Sequence, residues 1–180
     1  MHQLFTSEIP KPGQDLWLEG EERHYLGRAL RARPGERFRL VAPEGTAAVA
    51  ELIGCNGDRA QLRVERLDPD LSEAFGLHLA LCAPRGDALD EAVDMAVQLG
   101  VLSLRLLRSE RTLATPGQGP LRPERLQKRV KEAARQCLRA QLPVWLEPLS
   151  LADALALPFD GERLLLSERG GEPLATAVQQ

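Results

Sequence analysis

Aromatic side chains are scarce in this sequence: four Phe, two Trp and one Tyr make up 4% of 180 residues. A sheet that reads single-stranded RNA by stacking successive bases is therefore not expected. Cysteine is scarce too. Cys55, Cys82 and Cys137 are odd in number, far apart and never in a C-x-x-C pair, which excludes a disulfide framework and a zinc site and points to a reducing cytoplasm. No apolar run reaches the length of a membrane span, and the first residues, MHQLFTSEIPK, lack a signal-peptide core. A large excess of one charge is also missing. The formal net charge of −3 argues against a surface that coats nucleic acid everywhere, while leaving room for local basic patches. Chemistry-bearing signatures are missing as well. There is no G-x-G-x-x-G or Walker loop, and no Ser-His-Asp, Cys-His or paired-carboxylate arrangement that spacing singles out.

What is present suits a soluble globular chain, 43% hydrophobic and 27% charged, long enough for two small cores. The most strongly patterned stretch runs over residues 77–111. Residues 77–82 form an apolar run closed by Ala83-Pro84-Arg85-Gly86. Asp87 is placed to cap a helix whose apolar positions Leu89, Val93, Ala96 and Leu99 lie four, three and three apart. Gly100 ends it, and residues 101–107 give a second apolar run before Arg108-Ser109-Glu110-Arg111. Strand, helix and strand in so short a span predict a right-handed crossover and a parallel sheet. Ligands of such sheets bind beyond the carboxyl ends of the strands, here residues 84–87 and 109–111.

Upstream, residues 1–70 read as a small β-rich domain. Short runs at 16–18, 37–41, 47–53 and 59–64 are separated by the turn signals Pro34-Gly35, Pro43-Glu44-Gly45 and Asn56-Gly57-Asp58, a spacing that suits a small barrel. A helical turn or two interrupts them at 21–31, with Leu26 and Leu30 four apart. Residues 23–39 carry six arginines against one acid, Glu36. Such a cluster either neutralises phosphates or is a solvated face. His24 beside the helix reads as a surface or capping residue rather than a catalyst. The boundary falls at residues 68–73, and the second domain spans 74–180.

Beyond a Gly/Pro loop at 112–120, a helix is predicted over 123–140 with Pro123 in its first turn. Leu126, Val130, Ala133, Ala134, Cys137 and Leu138 define its buried face. Arg125, Lys128, Glu132, Arg135 and Arg139 form one polar edge, a functional surface or an ordinary solvent face. A strand at 142–146, a short helix at 150–157 and a strand at 162–167 ending at Glu168 complete the pattern. On residues alone this is a small β-domain with an arginine patch followed by a parallel α/β layer, and its chemistry is undetermined.

Four motifs then occur in order. They are His24 with Gly27-Arg28-Ala29-Leu30-Arg31 and Pro34-Gly35; Arg85-Gly86-Asp87 with Gln98-Leu99-Gly100-Val101; Ser109-Glu110-Arg111; and Glu132-Ala133-Ala134, Gln136, Arg139, Pro143 and Pro148. Together they resemble the RsmE family, SPOUT-class enzymes that methylate N3 of a uracil in 16S ribosomal RNA with S-adenosylmethionine. Leu138 stands where the family usually has Gly, and Arg135 where it usually has Glu. The resemblance implies an α/β fold: a PUA-like β-barrel over 1–70 and an incomplete SPOUT parallel α/β domain over 74–180. It implies RNA contacts by Arg28, Arg31, Arg33 and Arg85, and donor contacts by Leu166, Ser167 and Glu168. Arg111 and Arg139 are the cations expected to steady the uracil anion or an RNA phosphate. Uracil N3 lies on the Watson–Crick edge, so the base must be unpaired and must lose a proton. A 16S RNA or small-subunit partner and a homodimer are implied; no metal and no membrane are. Family members continue with a Gly-Pro-Glu-Gly-Gly loop and a Leu-Gly-x-Arg segment that tie the trefoil knot and build most of the donor pocket. Neither segment is in this sequence, so the expectation is a truncated enzyme or, alternatively, a catalytically silent RNA-binding fragment.

Overall fold

The computed structural model describes residues 1–68, 76–84, 87–110, 122–167 and 169–177. Two sheets form. The first contains β1 (His2–Phe5), β2 (Asp15–Leu18), β3 (Arg37–Val41), β4 (Ala47–Asn56) and β5 (Arg59–Leu67), in the order β1-β3-β4-β5-β2. The apolar runs explain β2 to β5: Leu16, Leu18, Phe38, Leu40, Leu52, Leu62 and Val64 belong to one core, with Trp17 and Arg63 exposed between their neighbours in β2 and β5. Irregular register in β4 at Val49/Ala50 and Leu52/Gly54 bends the sheet around that core. Leu26, from the segment linking β2 to β3, is fully buried in it. The foreseen helical turns are α1 (Gly20–His24) running into a π-helical turn, Tyr25–Ala29. β1 was not legible in the sequence, and it pairs parallel to β3.

The second sheet holds β6 (His78–Cys82), β7 (Ser103–Arg108) and β8 (Val144–Ser150), all parallel and in that order. Two successive crossovers in one direction put α2 (Ala88–Leu99) and α3 (Pro123–Cys137) on the same face. There Leu89, Val93, Leu104, Leu106, Leu126 and Val130 share one core.

Four expectations are corrected by the geometry. Leu99 is exposed and Val97 is buried, because at 100° per residue Leu99 lies well off the line through Leu89, Val93 and Ala96. Asp87 starts α2 with its backbone carbonyl, which accepts from Glu91 N at 3.0 Å; its side chain makes no cap bond. Residues 162–167 form no strand. β8 is the last strand of the described sheet, and Leu165 and Leu166, with no ladder to join, stand 86% and 76% exposed. Finally, α3 stops at Cys137 rather than 140, because Leu138 turns into the left-handed region at φ 57°, and its side chain is exposed rather than core.

The last correction explains why glycine suits that position. A left-handed conformation costs a residue with a Cβ roughly 1–2 kcal/mol that glycine does not lose. Leu138→Gly should therefore raise the stability of the chain by up to about 1 kcal/mol, since the side chain, 40% exposed, belongs to neither core. Urea unfolding reads this directly, and an unchanged or lower midpoint contradicts it.

Candidate nucleic-acid interface

The two sheets meet along the carboxyl end of α3. Gln3 on β1 is fully buried; its Nε2 donates to the Arg139 carbonyl at 2.8 Å and, at 3.5 Å, to that of Ala134. Arg39 on β3, also buried, donates to the Leu138 carbonyl, to Gln3 Oε1 at 3.1 Å and to Asp68 at 2.9 Å. The helix end leaves carbonyls unpaired within its own backbone, and side chains from the first sheet satisfy them. Phe5, Val41, Ala47 and Ala140 fill the seam.

Beside this seam, Glu22 on α1 pairs with Arg135 on α3, each side chain only 10% exposed. Glu22 also accepts from Phe5 N at 3.2 Å. The Arg135 guanidinium lies 4.4 Å from the centre of the Tyr25 ring and 5.2 Å from that of Phe5. Its Nε finds no hydrogen-bond partner among the described residues. Burial raises the pKa of Glu22 above its ordinary 4.5, opposed by Arg135, the Phe5 N–H and Lys131.

Arg135 of this pair also lines an open cleft of about 440 Å³ between the two halves. One wall is the π-helical turn and its approach, with Glu21, His24, Tyr25 and Arg28. The other is α3, with Lys128, Glu132, Arg135 and Gln136. The turn closes with Leu30 N donating to Tyr25 O and Ala32 N to Leu26 O, at 3.1 and 3.0 Å. This holds Arg31 left-handed at φ 50°. A π turn followed by a strained residue is a pattern concentrated at functional sites.

The described geometry divides the six arginines of residues 23–39. Arg23 donates to the Gly57 carbonyl at 3.2 Å, Arg37 pairs with Glu65 at 2.8 Å, and Arg39 is buried in the seam. Arg28, Arg31 and Arg33 are exposed and have no partner among the described residues. Three cations are therefore free to meet an anion.

Comparison with known proteins agrees with this architecture. Residues 72–180 match the model of the RNA methyltransferase domain, and residues 18–65 that of the RNA methyltransferase PUA domain. The chain belongs to the RNA methyltransferase family. It is 34% identical over 149 residues to the ribosomal RNA small subunit methyltransferase E of Synechocystis, covering 83% of this chain and 48% of that protein. It thus spans about half that relative's length. The crystal structure of the corresponding Neisseria gonorrhoeae enzyme bound to S-adenosyl methionine superposes with a TM-score of 0.79 at 27% identity, over 88% of this chain and 66% of that one. A Legionella pneumophila methyltransferase bound to the same cofactor shares the fold, with a TM-score of 0.86 at 19% identity over 97% and 73% of the two chains.

The other residues expected to matter in this methyltransferase-family chain are scattered. Arg85, Arg111 and Glu168 lie outside the described residues. Leu166 and Ser167 are exposed, on chain that belongs to no helix or strand. Arg139 donates through Nε to the Gln98 carbonyl at 3.1 Å and packs over Gly100, where φ of 77° strains any residue with a side chain and the guanidinium fills the space a Cβ would take. The polar edge of α3 divides likewise. Arg125 and Arg129 pair with Asp90 and Asp94 of α2, while Lys128, Glu132 and Gln136 turn to the cleft. Sequence reasoning missed Glu22, although Glu22, Leu26 and Leu30 lie on one stripe, and an acid on an apolar stripe needs a partner. Arg135 is that partner.

Removing Arg135 strands Glu22 among apolar groups. Arg135→Met should cost roughly 3–5 kcal/mol at neutral pH. The pH dependence has a definite sign. A carboxyl whose folded pKa is raised binds more protons folded than unfolded, so stability falls as pH climbs from 4.5 through the raised value. The deficit of Arg135→Met therefore shrinks at pH 4 and grows toward pH 7, and Glu22→Gln with Arg135→Met recovers most of it. Urea titrations at several pH values test this; a pH-independent deficit contradicts it.

Proposed function

We propose that this chain acts in the methylation of small-subunit ribosomal RNA, at N3 of a uracil, with S-adenosylmethionine as donor. In this reading residues 1–70 are the PUA-like RNA-binding domain and residues 74–180 the methyltransferase domain, acting in the cytoplasm as part of a homodimer. The observation that carries it is the set of exposed arginines Arg28, Arg31 and Arg33, without partners among the described residues, the first of them lining a cleft between the two halves, in a chain of the RNA methyltransferase family. Arg85 would extend this grip. Support for the donor and the RNA comes from the relatives, one named as a small-subunit ribosomal RNA methyltransferase and another bound to S-adenosyl methionine.

RNA held through phosphates is a fitting task for these residues, because guanidinium groups match phosphate geometry in two bonds at once. Arg111, outside the described residues, keeps the role that the resemblance implies, steadying the uracil anion or an RNA phosphate. Arg139 would act by fixing the carboxyl end of α2 against α3. The residues expected at the donor do not enclose one: Leu165 and Leu166 are largely exposed and Ser167 has no neighbouring strand. The described residues therefore contribute binding and orientation rather than the transfer step. This same exposure favours a second reading, an RNA-binding module of the family without transfer activity.

Binding of a small-subunit RNA fragment across a salt series should give a steep fall in affinity. Arg28→Ala and Arg31→Ala should each lower the log–log slope by about one. An unchanged slope returns these arginines to a merely solvated role. Calorimetry of the 180-residue chain with S-adenosylmethionine should show no binding at micromolar concentration; micromolar affinity would remove the second reading.

A further inference from the structure

We propose that the cleft between α3 and the π-helical turn is an anchoring site for one unpaired guanine nucleotide, with Glu132 reading the base and Arg28 and Lys128 holding the phosphate. This rests on the RNA-binding reading above and adds to it a place and a base preference.

Size comes first. About 440 Å³ lies in the range of small-molecule pockets, roughly 300–1,000 Å³, and is suited to one nucleotide rather than a duplex. The lining comes second. A pure phosphate tether would be lined by cations alone, but here Arg28 and Lys128 are joined by the carboxylates of Glu21, on the wall of Arg28, and Glu132, on the wall of Lys128 beside the amide of Gln136. Carboxylates repel phosphate and attract N–H donors, so the mixture suits a ligand with an anionic part and a donor-rich part. Among the RNA bases only guanine presents two adjacent donors, N1–H and the N2 amino group, spaced for the two oxygens of one carboxylate. Uracil presents a single N–H between two carbonyls, which a carboxylate repels. Adenine and cytosine each offer an amino group next to an acceptor.

The aromatic partner comes third. Tyr25, the one tyrosine of the chain, lines the cleft, and the Arg135 guanidinium already lies over its ring. An unstacked base is typically held against such a ring or guanidinium plane. Glu22 fixes Arg135, and so fixes this wall.

Position separates this site from the reaction. α3 precedes β8 and runs opposite to the parallel strands, so its carboxyl half faces their amino ends. Ligands of open parallel sheets react beyond the carboxyl ends. A guanine in the cleft is therefore a neighbour of the target in the RNA, not the base that is modified.

The test uses short fluorescent oligouridylates with a central G, A, C or U, titrated by anisotropy onto the 180-residue chain at low salt. The G form should bind about tenfold tighter than the other three. Glu132→Gln, a change at an exposed position, should bring all four within about twofold while leaving the salt slope unchanged. Lys128→Ala should lower the slope by about one and keep the preference for G. Equal binding of all four, or a preference that survives Glu132→Gln, overturns the proposal. If that happens while Arg28→Ala and Arg31→Ala still reduce the salt slope of the larger RNA, RNA binding stands and only the guanine site falls. Failure of every RNA to bind removes both.

Discussion

The carboxyl end of α3 is the joint of the molecule. The carbonyls of Leu138 and Arg139, the two residues just past its last turn, point to the first sheet, and Arg39 and Gln3 reach across to bond them. Both side chains are buried, so each bond is made away from water, where leaving a polar group unpaired costs roughly 1–3 kcal/mol. Arg39 itself is held on two sides, by Asp68 and by Gln3 Oε1. Neither sheet can shift along the other without stranding several of these groups together.

The cleft follows from the joint. With α3 anchored at its carboxyl end, the preceding turns lie alongside α1 and the π-helical turn, and Glu22 meets Arg135 across the gap. A buried ion pair is weak evidence for stability, since desolvation offsets its attraction, but it defines one register well. Here that register sets Arg28 on one wall opposite Lys128 and Glu132 on the other. In the proposed RNA-binding reading, two walls that each carry a cation and an acid at a fixed spacing would select by shape without a broad positive field, consistent with the net charge of −3.

Much of the fold was legible because period and punctuation agreed. Two of the runs of β2 to β5 alternate clearly and turn signals separate all four, while residues 77–107 spell strand, helix and strand with Gly100 at the left-handed stop. β1 was hidden because His2–Phe5 has too few residues to show a period, and its partner β3 is distant in sequence. Residues 162–167 misled in the other direction: three leucines read as a strand, yet a strand also needs an edge to pair with, and sequence reports no edges. The site was legible in type and not in place. The arginine cluster stood out by composition, but which three arginines stay free depended on Glu65, Asp68 and the Gly57 carbonyl, all remote in the chain. Arg135 and Leu138 were visible as departures from a pattern; only the structure gave each its reason, one a buried partner and the other a backbone angle.

The two tryptophans give one reporter on each side of the joint, Trp17 on β2 and Trp145 on β8. Urea unfolding of Trp17→Phe and Trp145→Phe follows one half at a time by fluorescence. A joint that couples the halves predicts a single shared midpoint and slope from both reporters. Separate transitions, with one sheet persisting after the other is lost, would contradict the central claim that capping of α3 by Gln3 and Arg39 makes one body of the two sheets.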